Sequence, residues 1–161
     1  MHQNQNSRNT SANNVIGFLK EQHEKIKELF EQVFASHGAD REKLFTQLKT
    51  LMTVHEAAEE RIVHPEAKSA IAGGTSEVAA REMEEAKAKS TLTALSKLDL
   101  ASSEFETMLM TLQKAVLAHA RSEEDQEFDK LGEKLDPRKL VEMRKQVEAV
   151  ERTSATSGNA R

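Results

Sequence analysis

Apolar residues return every three or four positions in five separate stretches of the chain. That spacing lines one face of a helix, so each stretch predicts one amphipathic helix. The first helix carries Ile16, Leu19, Ile26, Phe30 and Val33, and the second carries Leu44, Leu48, Leu51, Met52 and Ile62. Val78, Leu92 and Leu95 mark the third, and Phe105, Met108, Leu109, Leu112, Val116, Phe128 and Leu131 mark the fourth. Leu140, Val141, Met143, Val147 and Val150 mark the fifth.

Capping and breaking residues set the boundaries. Asn14 is a good N-cap for a helix ending near Ser36, and Ser36 to Asp40 reads as a turn in which Gly38 ends one helix and Asp40 caps the next. The second helix is expected from Arg41 to His64. Pro65 should end or kink it, with a short extension as far as Ala72 before Gly73-Gly74. The third helix is expected from Thr75 or Ser76 to Leu98. The fourth starts at Ser103, whose spacing to Glu106 is that of a capping box. Asp136-Pro137 opens the fifth, which ends near Glu151. Short connections make consecutive helices antiparallel neighbours. The expected fold is all-α, an antiparallel up-down four-helix bundle over residues 14–151 with an additional C-terminal helix outside it or across one end. Residues 1–13, which include His2, and residues 152–161 read as polar, disordered tails.

Ionisable residues interrupt these stripes at corresponding places. His23 lies between Leu19 and Ile26 on the first helix. His55 and Glu59 extend the second stripe, Glu85 is in register with Leu92 and Leu95 on the third, and His119 and Glu123 extend the fourth. Residues four apart differ by only about 40° around a helix, so each His shares a face with its Glu. Burying an isolated carboxylate costs several kcal/mol, and three in one small core require compensation. A metal supplies it, and imidazole with carboxylate suits iron, manganese or zinc. Six side chains exceed the needs of one ion and suit two, with Glu59 and Glu123 bridging and a solvent-derived oxygen between the ions. The competing reading is a solvated helix face crossing the bundle end. On the third helix, a rotation by one position would put Glu84 or Glu82 in place of Glu85. His64 is nine positions beyond His55, on roughly the opposite side of an ideal helix, and reads as a surface or supporting residue. Glu56, Glu60 and Glu124 are turned about 100° from their neighbouring candidates and read as solvated or supporting, and His37 as a turn residue.

Composition narrows the chemistry. The 161 residues contain no cysteine, tryptophan or tyrosine, which excludes disulfides, iron–sulfur clusters, thiol catalysis and a tyrosyl radical or ligand. A net charge of −4 argues against nucleic-acid binding. Neither a signal peptide nor a membrane span is evident, so a cytoplasmic location is expected.

The segments LKEQHEKIKELF, HEAAEERIVHP and HARSEEDQEF, in this order and spacing, together resemble the hemerythrin-like, or HHE cation-binding, domain. The resemblance spans about residues 14–133. It implies an antiparallel four-helix bundle around a carboxylate- and oxo-bridged non-haem diiron centre, in proteins that bind or sense dioxygen or handle iron, nitric oxide or peroxide. By position, His23, His55, Glu59, His119 and Glu123 match the family's ligands. The chain departs at the third helix, where the family usually has a His and this sequence has Glu85 in MEEAKAKSTLTAL. A carboxylate there adds negative charge, which is expected to favour Fe(III) over Fe(II) or to admit manganese, and so counts against reversible oxygen carriage. The leading expectation is a diiron protein that binds, senses or reacts with dioxygen, peroxide or nitric oxide. The alternatives are a diiron oxidase or peroxidase-like enzyme, a metal-responsive interaction or iron-homeostasis protein, and a metal-free helical bundle.

Overall fold

The structure, a computed structural model, describes residues 13–159, with side chains described as far as residue 155. Most of the expected N-terminal tail, His2 included, lies outside the described residues. The first helix is α1 (Val15–Ala35). The second comprises α2 (Gly38–Ala58), a π-helical turn (Glu59–Val63) and α3 (His64–Ala70). The third is α4 (Gly74–Leu95). The fourth repeats the pattern of the second, with α5 (Ser103–Glu123), a π-helical turn (Glu124–Phe128) and α6 (Asp129–Lys134). The fifth is α7 (Pro137–Asn159). The first four form the expected bundle. No helix among the described residues is long and apolar enough to cross a membrane.

Asn14 caps α1 as its sequence predicts, its side-chain oxygen accepting from the Gly17 N–H at 3.0 Å. Other boundaries move. Gly38, at φ +59°, starts α2 directly rather than ending α1, so the turn shrinks to Ser36 and His37. Ser102, not Ser103, caps α5 by accepting from the Phe105 N–H at 3.1 Å. At the other end of the bundle, a Cβ on Gly74 would lie 2.2 Å from the Ala67 carbonyl oxygen, so only glycine allows α3 and α4 to meet this closely. The C-terminal helix does not stop at Glu151 but runs through Asn159, where a polar tail was expected.

Pro65 does not end the second helix. The π turn immediately before it hydrogen-bonds the His64 N–H to the Glu59 carbonyl, five residues back. A widened turn accommodates a proline ring and its missing N–H better than a regular α-turn does.

Two apolar clusters fill the interior. One, built on Ile26, Phe30, Leu48, Leu92, Phe105 and Leu109, occupies the end near the α1–α2 turn. The other, built on Leu19, Val63, Val78, Phe128 and Leu131, occupies the opposite end and also takes in Leu140, Met143 and Val147 of α7. The fifth helix therefore lies along the outside of α1 and α2 and is sealed to the second cluster. Between the two clusters is a polar layer.

Candidate metal centre

The polar layer is where the stripe interruptions meet. His23, His55, Glu59, Glu85 and Glu123 are all buried, and His119 is nearly so. The structure brings all six together. His23, His55, Glu59 and Glu123 offer donor atoms within 4.8 Å of one another, as do Glu59, Glu85, His119 and Glu123. Both groups contain Glu59 and Glu123, so those two carboxylates join them.

The oxygens divide between the groups. On the first side, His23 Nε2 lies 3.2 Å from Glu123 Oε1 and 3.9 Å from Glu59 Oε1, and His55 Nε2 touches Glu59 Oε1. On the second side, His119 Nε2 lies 3.3 Å from Glu123 Oε2 and 3.6 Å from Glu85 Oε1. None of the four oxygens of Glu59 and Glu123 accepts a protein hydrogen bond, although both side chains are completely buried. Buried carboxylate oxygens require a partner. Donors bound to one ion at roughly 2.0–2.2 Å and at ordinary angles sit roughly 2.8–3.6 Å apart, which is close to the spacings here. The residues thus fit two cations.

The outer ring nitrogens of His55 and His119 are held by oxygen atoms, and that of His23 faces one without a hydrogen bond. His55 Nδ1 donates to Gln22 Oε1 at 2.7 Å, and His119 Nδ1 lies 2.9 Å from Glu84 Oε1. His23 Nδ1 lies 3.5 Å from Glu124 Oε2, and the His23 ring stacks on Phe128. Such contacts fix the tautomer, aiming the Nε2 lone pair inward and raising its basicity. Gln22 is itself held by α7, its Nε2 donating to Glu151 Oε1 at 2.6 Å. The fifth helix therefore orients His55 through one intermediary. Gln22→Leu is expected to weaken metal binding by roughly 10–100-fold without unfolding the bundle, measured by competitive chelator titration.

Without a cation these groups share protons. Burial lowers the His55 pKa to about 3, reinforced by the charge on His23. For His119 burial acts downward too, but Glu123, Glu84 and Glu85 outweigh it and push the pKa up to about 9. Burial and the adjacent Glu123 charge push the Glu59 carboxyl upward.

On the third helix the three candidate carboxylates take different places. Glu85 points inward, Glu84 supports His119 from the rim, and Glu82 pairs with Lys68 at the surface at 2.9 Å. Glu60 is exposed, whereas Glu56 and Glu124 are half-buried beside the cluster.

His64 takes the supporting alternative of the two that its spacing left open, and its expected place on the far side of the helix is corrected. It is not a surface residue but almost wholly buried, with Nε2 2.8 Å from Glu85 Oε1 and Nδ1 2.7 Å from Glu127 Oε1. The π turn between His55 and His64 absorbs one residue. Nine positions then rotate the chain like about eight, which brings His64 from about 180° to roughly 80° from His55. Glu127, fully buried, was also missed. Its spacing held a signal, four beyond Glu123 and eight beyond His119.

A cavity of about 280 Å³ reaches the cluster, with His23, His55, Glu85 and His119 all in its wall. Ile26, Met52, Ala88, Leu112 and Val116 give it largely apolar walls.

The chain matches the family model of the hemerythrin HHE cation-binding domain over residues 14–131. No curated protein matches it in sequence. Among solved structures it is similar to a hemerythrin HHE cation-binding domain-containing protein from Mycobacterium kansasii, with a TM-score of 0.79 and 21% identity over 89% of this chain and 88% of that one. The likeness of fold, the family match and the buried His/Glu layer agree: this chain belongs to the hemerythrin HHE cation-binding domain family.

Proposed function

We propose that the chain is a non-haem diiron protein that binds, senses or reacts with dioxygen, peroxide or nitric oxide in its central polar layer. The observation that carries this reading is the division of oxygens: Glu59 and Glu123 each turn one oxygen toward the His23 side and offer the other to the opposite side. His23 and His55 would hold one iron, His119 and Glu85 the other, and the two shared carboxylates would bridge them. Two irons held by these residues would supply adjacent redox centres for a small ligand. The chain's own residues supply the surroundings. Imidazoles anchored at Nδ1 hold their orientation, and the apolar cavity walls admit a small molecule while limiting water. Glu85 adds a third carboxylate, which favours the more highly charged metal state and makes manganese a competitor to iron. Zinc fits the same donors but brings no redox chemistry.

The cavity is roomier than a diatomic ligand needs, which favours a second reading, an enzyme that turns over peroxide or oxidises a small substrate. Peroxide decay that Glu85→Ala abolishes in a folded protein would support the enzyme; equal decay in a metal-free sample would oppose it.

The principal test is an anaerobic Fe(II) titration followed by exposure to air. Two irons per chain and new near-UV and visible charge-transfer bands are expected. A wild-type protein that takes up no iron would sink the proposal.

A further inference from the structure

We propose that His64 is a further ligand of the cation on the Glu85–His119 side, oriented for that role by Glu127. The assignment rests on the two-metal reading above and adds an imidazole from the second helix to that half of the centre.

Three observations carry it. First, His64 is in place. Its Nε2 lies 2.8 Å from Glu85 Oε1 and 3.7 Å from Glu59 Oε2, spacings close to those of donors sharing one ion. Glu59 Oε2 faces His64 just as Glu59 Oε1 faces His23 and His55, so the carboxylate has imidazole on both sides.

Second, His64 is built like the other histidines of the layer. In each, Nδ1 faces an oxygen acceptor and Nε2 faces the carboxylates. Gln22 serves His55, Glu84 serves His119 and Glu127 serves His64 at 2.7 Å, while Glu124 stands 3.5 Å from His23 Nδ1 without a hydrogen bond. A histidine held at Nδ1 by a carboxylate with Nε2 turned inward is the arrangement of a supported metal ligand.

Third, the fold departs from regular geometry to put it there. The π turn Glu59–Val63 begins at one bridging carboxylate, and the π turn Glu124–Phe128 immediately follows the other. The first rotates His64 inward, and the second contains its partner Glu127. With His64 included, each half of the centre has two imidazoles, His23 with His55 and His64 with His119.

Anaerobic Co(II) titration tests the assignment without relying on oxygen chemistry. Wild-type protein should take up two equivalents. His64→Gln should keep the first and bind the second at least 100-fold more weakly, with an altered visible spectrum for that second ion. Glu127→Gln should weaken the second equivalent by roughly 10–100-fold. Circular dichroism and the retained first equivalent check folding. A readout on the wild type alone covers the case in which the variants fail to fold. In the fully Co(II)-loaded protein, hyperfine-shifted imidazole N–H proton signals are expected for His23, His55, His64 and His119. Signals from the others but not from His64 would overturn the assignment. So would two equivalents bound by His64→Gln with wild-type affinity and spectrum, an outcome that leaves the two-metal reading standing. A wild type that binds no cobalt would overturn both.

Discussion

Glu59→Gln is expected to abolish stable loading of both metals without lowering the melting temperature of the metal-free protein. The side chain is completely buried, and its two oxygens face opposite halves of the centre. Losing a shared ligand removes a bond from each ion at once, so the loss should exceed the roughly 10–100-fold typical of a supporting residue. The metal-free protein should respond differently. Burial and the Glu123 charge already push this carboxyl upward, toward its neutral form. A neutral amide of nearly the same shape relieves that conflict. Were Glu59 instead one half of a structural ion pair with its histidines, removing its charge should destabilise the fold by about 3–5 kcal/mol. Chelator competition together with thermal melts of stripped protein separates the two. A large fall in melting temperature with unchanged metal uptake would contradict the account.

Metal loading itself should raise the melting temperature and change its pH dependence. A site saturated at 1,000 times its dissociation constant adds about 4 kcal/mol. Two such sites add about 8 kcal/mol, which for a chain of this size is a shift of roughly 15–30 °C. In the metal-free protein, His119 is pushed up to about 9 and His64 to about 10, the latter because the Glu127 and Glu85 carboxylates outweigh a lowering by burial. Raised histidines bind protons more tightly in the folded state. Their stabilisation is complete below about pH 6.5 and disappears as the pH rises toward 9–10. His55, lowered to about 3, acts in the opposite sense: stability is lost as the pH falls from about 6.5 toward 3. Glu56, pushed up to about 8 by burial, acts in the same sense as the raised histidines and offsets His55 below pH 6.5, so stripped protein should decline in stability above about pH 6.5. In the loaded protein the alkaline decline should shrink, because a coordinated Nε2 carries no proton, and stability should fall steeply in acid as protons displace metal. Calorimetry of both forms from pH 5 to 10 checks this, and parallel pH profiles for the two forms would argue against it.

Much of this was legible in the sequence because it depends on helical periodicity. The stripe interruptions at His23, His55, Glu59, Glu85, His119 and Glu123 have the geometry of an ordinary α-helix, and the structure brings all of them into one layer. His64 was not legible, because its position depends on a π turn that shifts the helical phase. Pro65, one residue later, was a clue to irregular backbone, but the expectation drawn from it was a helix end or kink with a short extension, which carries no shift of phase. The length of the fifth helix was also missed: its last turns, with Thr153, Ser154, Ala155 and Thr156, have no apolar stripe to announce them. Its connection to His55 through Glu151 and Gln22 is a side-chain chain between distant helices, which no local pattern encodes.

The most direct test of the central claim is an anomalous difference map at the iron edge from crystals of the iron-loaded protein. The account predicts two peaks per chain, about 3.5–4 Å apart, both within bonding distance of Glu59 and Glu123, one beside His23 and His55 and the other beside Glu85 and His119. A single peak in the layer, or iron bound only elsewhere, would contradict it.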